Sequence, residues 1–281
     1  MLRSLGAVRP LSEVDQGEAL DLCALDPPAS VFVAARIVEG TAMRYPGALL
    51  GYRPNGRLEA LCWAAANIVP VAVGAEAAEA FVPRLRRLRR QTASVFGPSD
   101  QVELLWSGLM TGWSPARTIR ARQPLMATTT RPSALGIDAD LRVRVARPDE
   151  VSIVLPAAAA MFTAEIGYPP YRGSDVGYRR ILRELLDRGH TFVWEERGEI
   201  LFKADVGSCA LGEAQLQGVW LTPRLRGRGL GVPLVASVTE QVLDTMATSV
   251  SLYVNEYNLA AQAVYRRVGF ATVGEFTTVL M

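Results

Sequence analysis

Two hydrophobic periods alternate along the 281-residue chain, and each switch between them marks an element. In the first half, Ala19 to Glu39 carries helical spacing. Pro27 and Pro28 break it in two, because proline lacks the N–H a helix needs. Ala48 to Arg53 and Leu58 to Asn67 read as strands joined by the hairpin turn Pro54-Asn55-Gly56. Ala75 to Thr92 returns to helical spacing, and Gln101 to Trp106 reads as a further strand. Met126 to Asp140 has no apolar period and collects Thr, Pro, Ser, Gly and Asp, so it reads as a linker.

The second half has a plainer grammar. Leu141 to Ala146 alternates as a strand, and Arg147-Pro148-Asp149-Glu150 starts a helix that runs to about Glu165. Gly167 to Tyr171 (GYPPY) is a stiff aromatic loop, and Ser174 caps a second helix ending near Gly189. Strands are predicted at Thr191 to Glu196, Glu199 to Cys209 and Gln215 to Leu221. A helix over Gly229 to Ala247, a strand over Ser249 to Val254, a helix over Asn258 to Val268 and a last strand follow. This order predicts an α/β (α+β type) fold with a mixed, mostly antiparallel sheet flanked by helices. The expected domains are residues 1–130 and 141–281, joined by a linker at 131–140.

Composition narrows the chemistry. Lys and Arg number 30 against 28 acids, leaving a net charge of +2, so no polyanionic partner is demanded. The one basic run, Pro83 to Arg90 (PRLRRLRR), offers a nucleic-acid or acidic-ligand patch or, more simply, a solvated helix face packed by Leu85 and Leu88. Lys203 is the only lysine and His190 the only histidine. Cys23, Cys62 and Cys209 are far apart and lack CxxC spacing, so neither a zinc site nor a disulfide framework is expected. No signal-peptide pattern opens the chain and no apolar run is long enough to span a membrane. The expectation is a cytoplasmic protein with no metal and no membrane partner.

The informative stretch is Gly218 to Leu234. A strand ends at Thr222-Pro223, the glycines Gly227, Gly229 and Gly231 alternate, and a helix begins. Glycines let backbone N–H groups approach an anion, the helix N-terminus adds a favourable dipole, and Arg226 and Arg228 add charge. The spacing matches neither the dinucleotide fingerprint nor the P-loop.

The order of motifs resembles the GNAT N-acetyltransferase superfamily over Leu141 to Met281. Arg226-x-x-Gly229-x-Gly231 is similar to the family's pyrophosphate loop, and Val219-x-Leu221 to the bulged strand that pairs with the pantetheine arm. Asn258, Ala261, Tyr265, Gly269 and Phe270 fall on a third family pattern. The resemblance implies an acyltransferase moving an acetyl or short acyl group from acetyl-CoA to an amine. It assigns cofactor contacts to Val219, Leu221, Arg226, Gly227, Arg228, Gly229, Leu230, Gly231, Val232 and Asn258. Tyr265 takes the place of the tyrosine that protonates the leaving sulfur, with a buried packing aromatic as the alternative; Asn258 can equally be a plain helix cap.

The general base departs from the family pattern. Counting back along the strand reaches Gln215, which cannot take a proton. Glu213, two residues upstream on the same face, can substitute directly or through water, or can be an ordinary turn carboxylate. That departure keeps a second reading open, a non-catalytic acyl-CoA sensor. The first half repeats the hairpin, helix and strand order, but its turn Val71 to Ala75 has one glycine and no arginine. It is expected to be a degenerate copy of the same fold that shapes the acceptor site or an interface. The acceptor is unnamed by the sequence, and a homodimer is left open.

Overall fold

The structure is a computed structural model that describes residues 7–281. The chain divides into two compact units. The first holds the chain up to Met126 together with Tyr253–Asn258 and Thr272–Met281; the second holds Ala127–Leu252 and Leu259–Ala271.

In the first unit, β1 (Val8–Pro10) leads through α1 (Gln16–Cys23), α2 (Pro27–Val38) and α3 (Thr41–Arg44) to β2 (Leu49–Tyr52), β3 (Ala60–Ala64) and β4 (Asn67–Val71). Then come α4 (Ala75–Leu85), β5 (Ser94–Pro98), α5 (Ser99–Leu109) and β6 (Thr118–Thr128), most of which lies in this unit. The chain's last strand, β12 (Ala271–Leu280), pairs antiparallel with β5, from Phe276 opposite Pro98 to Leu280 opposite Ser94. Strand order here is β1-β2-β3-β4-β5-β12-β6. One core joins α4 and α5 to the sheet through Phe81, Leu85, Val102, Leu105 and Leu109, with Ile68 and Val95 opposite.

The second unit begins with β7 (Arg144–Val145), α6 (Val151–Ile166) and α7 (Val176–Asp187). It continues with β8 (Thr191–Glu196), β9 (Glu199–Ala210), β10 (Glu213–Leu221), α8 (Gly231–Thr245), β11 (Ser249–Tyr253) and α9 (Leu259–Val268). Its strand order is β11-β10-β9-β8-β7, antiparallel except for β10 beside β11. Val154, Leu155, Ala158, Leu182 and Leu186 of α6 and α7 pack on Val193 and Ile200 of the sheet. Both units therefore run strand, helices, three strands, helix, strand, helix. Among the described residues no helix is long and apolar enough to cross a membrane.

Several elements differ from the sequence reading. Gln101 to Trp106 lies in α5, because Val102, Leu105 and Leu109 recur at helical spacing and are all fully buried. The single strand expected over Leu58 to Asn67 holds β3 and then a turn at residues 65–66 that leads into β4. The linker expected from Met126 starts inside β6, and the last strand, expected with the second half, is hydrogen-bonded in the first unit. Local periodicity reports whether a segment is a strand but not which distant strand it joins. The arginine run also has structural work: Arg84 donates to the Val8 carbonyl, Arg86 to the Gly108 carbonyl, and Arg89 to Ser114, while Leu85 is fully buried.

Candidate functional site

The site is built on β10. In this strand Glu213, Ala214 and Gln215 pair in parallel with Ser249, Val250 and Ser251 of β11, and the pairing stops there. On its other edge β10 stays bonded to β9 as far as Leu221 opposite Phe202. The register slips between Gln217, opposite Asp205, and Trp220, opposite Lys203, so Gly218 and Val219 share one partner and form a bulge. Gly218 sits at φ +58°, a left-handed value that a side chain resists. A Cβ at Gly218 would also lie 3.0 Å from the Asp205 carboxylate and 3.1 Å from Lys203 Nζ.

Beyond the bulge, the Thr222 N–H donates to the Leu201 carbonyl of β9 at 2.8 Å. Backbone polar groups alternate sides along an antiparallel strand. Thr222 and Trp220 therefore face β9, whereas Val219 and Leu221 turn their N–H groups to the edge that β11 has left. This is a row of donors at an opening, next to the loop that ends the strand.

That loop runs from Thr222 to α8. Gly227 and Gly229 have φ of +73° and +76°, and a Cβ at either would meet nothing within 4 Å. Both are exposed, as is Arg228. Leu230 precedes α8, and the N–H groups of Gly231 and Val232 in its first turn have no carbonyl to bond within the helix. Gly231 has a different reason to be glycine: a Cβ there would stand 2.9 Å from Val264 Cγ2 on α9. Arg226 folds back, its Nε donating to the Leu221 carbonyl at 2.9 Å, and so ties the loop to the end of the strand.

Tyr265 lies on α9, 7 % exposed, its ring 5.9 Å from that of Phe270. Burial, and after it the negative charge of Glu165 at the end of α6, push its phenol well above the ordinary tyrosine value. Asn258 immediately precedes α9, and its N–H donates to the Asn255 carbonyl at 2.9 Å. Glu213 is the first residue of β10 and is buried; Gln215 is buried at the last pair before the opening. Val219, Leu221, Arg226 to Val232 and Tyr265 thus fall on one strand end, one loop and two helices, with Glu213 at the opposite end of the strand.

Sequence reasoning passed over three groups. Gly218 was legible only as one glycine among several. Lys203 stood out as the only lysine, but its place beneath the bulge depends on strand register. Glu165 closes α6, and only folding brings its charge to Tyr265. Above α6 and α7 the GYPPY loop forms an aromatic cluster: Phe162 meets Tyr168 and Tyr178 edge to face at 5.9 and 6.2 Å, and Tyr171 lies 6.0 Å from Tyr178. Burial, reinforced by the Asp205 charge, lifts the Tyr178 phenol to about 12. A shallow concavity lined by Tyr168, Pro169, Pro170, Tyr171 and Arg172 opens beside this cluster.

The comparisons agree with this architecture. Residues 158–270 match the model of the acetyltransferase (GNAT) family, and residues 47–154 match a domain of unknown function, DUF4081. An acetyltransferase of the GNAT family from Colwellia psychrerythraea superposes with a TM-score of 0.57 at 14% identity, over 98% of this chain and 99% of that one. A tandem GNAT protein from the clavulanic acid biosynthesis pathway gives 0.57 at 17% identity, over 97% and 98%. A GCN5-related N-acetyltransferase from Sphaerobacter thermophilus gives 0.58 at 16% identity, over 96% and 93%. At these identities the superpositions speak for the fold. The family model speaks for the second half: the chain carries a C-terminal domain of the GNAT acetyltransferase family behind a DUF4081 domain.

Proposed function

We propose that this chain moves an acyl group, acetyl in the first instance, from an acyl-CoA to an amine of a small molecule or a protein. The observation that carries the reading is the course of β10. It leaves β11 after Gln215, turns Val219 and Leu221 N–H groups to the opening, and ends in a glycine-rich loop at a helix N-terminus. Coenzyme A carries its charge on phosphates, which suit unpaired N–H groups and a helix dipole without a metal. The residues present fit it: Gly227 and Gly229 leave room for phosphate, with Arg226, Arg228, Leu230, Gly231 and Val232 around them. Val219 and Leu221 then pair with the pantetheine arm, and Asn258 contacts the cofactor from the start of α9.

A thioester needs positioning and a polarised carbonyl, an amine that sheds a proton, and a proton for the departing thiolate. Tyr265 is the donor in this reading, since its raised phenol keeps its proton at neutral pH. Glu213 stands five residues before Gly218, about 16 Å at ordinary strand rise, beyond the reach of one bridging water. Glu165, exposed and close enough for its charge to act on Tyr265, is the better-placed carboxylate. A cytoplasmic setting suits the acetyl-CoA donor and the three free cysteines.

The test is release of CoA thiol from acetyl-CoA with a panel of small amines and basic peptides. Turnover that Tyr265→Phe abolishes supports the enzyme. Tight acetyl-CoA binding with no release for any acceptor supports a sensor instead, a reading favoured by Gln215 at the family's base position and Glu213 far from the bulge.

A further inference from the structure

The chain's only lysine is fully buried beneath the bulge. Lys203 Nζ donates to the Asp205 carboxylate at 2.5 Å and to the Gly218 carbonyl at 3.2 Å. Asp205, itself 4 % exposed, also accepts from the Thr191 hydroxyl at 2.9 Å. A buried ion pair is weak evidence for stability, because desolvating both charges offsets most of their attraction. Its position gives it a second meaning. The carbonyl of Gly218 and the N–H of Val219 belong to one peptide group, which is planar and trans, so the two point in opposite directions. With the carbonyl held by Lys203, the N–H of Val219 is aimed away from β9, toward the opening.

We propose that Lys203 is a positioning residue for acyl transfer: its ammonium, bonded to the Gly218 carbonyl, orients and polarises the 218–219 peptide so that Val219 N–H becomes a fixed, strengthened donor to the thioester oxygen. The inference rests on the acyl-CoA reading of the site. Hydrogen bonds in series strengthen one another, and a charged donor at one end of a peptide draws electron density from its N–H. Asp205 compensates the ammonium inside the fold, and Thr191 fixes the carboxylate. Glycine suits position 218 because its left-handed φ resists a side chain and a Cβ there would crowd the pair. No bond is made or broken by Lys203: the acyl carbon passes from sulfur to nitrogen, while the lysine holds the Val219 N–H, the donor to the developing oxyanion, in place.

The readout is isotope-edited infrared spectroscopy of acetyl-CoA carrying ¹³C at the thioester carbonyl, bound to the full chain. Wild type should lower the carbonyl stretching frequency relative to free acetyl-CoA. Lys203→Met strands a buried carboxylate, so the paired variant Lys203→Met with Asp205→Asn, which removes both charges, is measured alongside it. The paired variant should bind acetyl-CoA within about threefold of wild type yet return the band toward its free position. With any acceptor the amine panel yields, kcat should fall on the order of tenfold at unchanged KM for acetyl-CoA, less than the loss from deleting an oxyanion donor outright. A wild-type band that does not shift, or a shift the paired variant retains, overturns the role of Lys203 while leaving the acyl-CoA site standing. Absence of acetyl-CoA binding to wild type fails the site itself, and with it this inference.

Discussion

At the end of its fourth strand the first unit closes what the second leaves open. In the first, β4 runs parallel to β5 only at Asn67 opposite Ser94 and Ile68 opposite Val95. Two residues on, the Pro70 ring lies against β5, so that a Cβ at Gly97 would stand 3.2 Å from it, and proline offers no N–H to a ligand. The following turn buries Val73 in the core and gives its N–H to Gln101 Oε1 at 3.0 Å. In the second unit, β10 leaves β11 with Val219 and Leu221 facing the opening, and the following loop has open glycines at 227 and 229. The order of elements is the same. A proline in place of a donor, a glutamine that satisfies the turn from within and the lack of a glycine-rich loop separate the two, so the fold alone does not carry the activity.

The largest effect should come from charge at the loop. Gly229→Glu places a side chain at a left-handed φ and a carboxylate where phosphate is expected, and should raise the Kd for acetyl-CoA about a hundredfold or more by calorimetry. The matched Gly74→Glu, at φ −88° with nothing within 4 Å, should leave binding unchanged. Comparable losses from both would erase the distinction between the units. Next, Tyr265→Phe should cut kcat about a hundredfold at unchanged acetyl-CoA affinity, the scale of a lost general acid. Equal kcat would reduce Tyr265 to packing against Phe270.

Smaller effects concern stability. Gly231→Ala drives a methyl into Val264 and should cost about 1–3 kcal/mol in chemical denaturation. Val264→Ala in the same chain should recover most of that loss. Gln101→Leu leaves the buried Val73 N–H without its acceptor and should cost about 1–3 kcal/mol. It should leave acetyl-CoA affinity untouched; a change in affinity would mean the first turn binds ligand after all. The smallest expected effect is one of pH. Because the folded state holds the Tyr265 proton more tightly than the unfolded chain, kcat should not fall as pH rises to about 10, where an ordinary tyrosine ionises. Stability should decline above that pH, since the buried phenol resists the ionisation that the unfolded chain undergoes.

The strand end at Thr222, the glycine-rich loop and the helix after it were legible in the sequence because each is a local pattern that folding keeps in chain order, whereas the bulge and the place of Tyr265 entered only through the family resemblance. The α/β fold was legible from the alternation of periods. What escaped depends on long-range register. Lys203 meets Gly218 fifteen residues away only because β9 and β10 pair as they do. The placement of β12 beside β5 joins the last strand of the chain to one in its first half. Gln101 to Trp106 misled because apolar Val102, Leu104 and Leu105 allow either period over six residues, and only burial of Leu109 separates them. Glu213 and Gln215 do share a strand face, but the strand's length puts Glu213 at the wrong end for direct contact with the bulge.

If one unit of the two binds the acyl donor, titration calorimetry of the full chain with acetyl-CoA should show a single site per chain, abolished by Gly229→Glu and retained in Gly74→Glu. Two sites per chain, or a single site that survives Gly229→Glu, would contradict it.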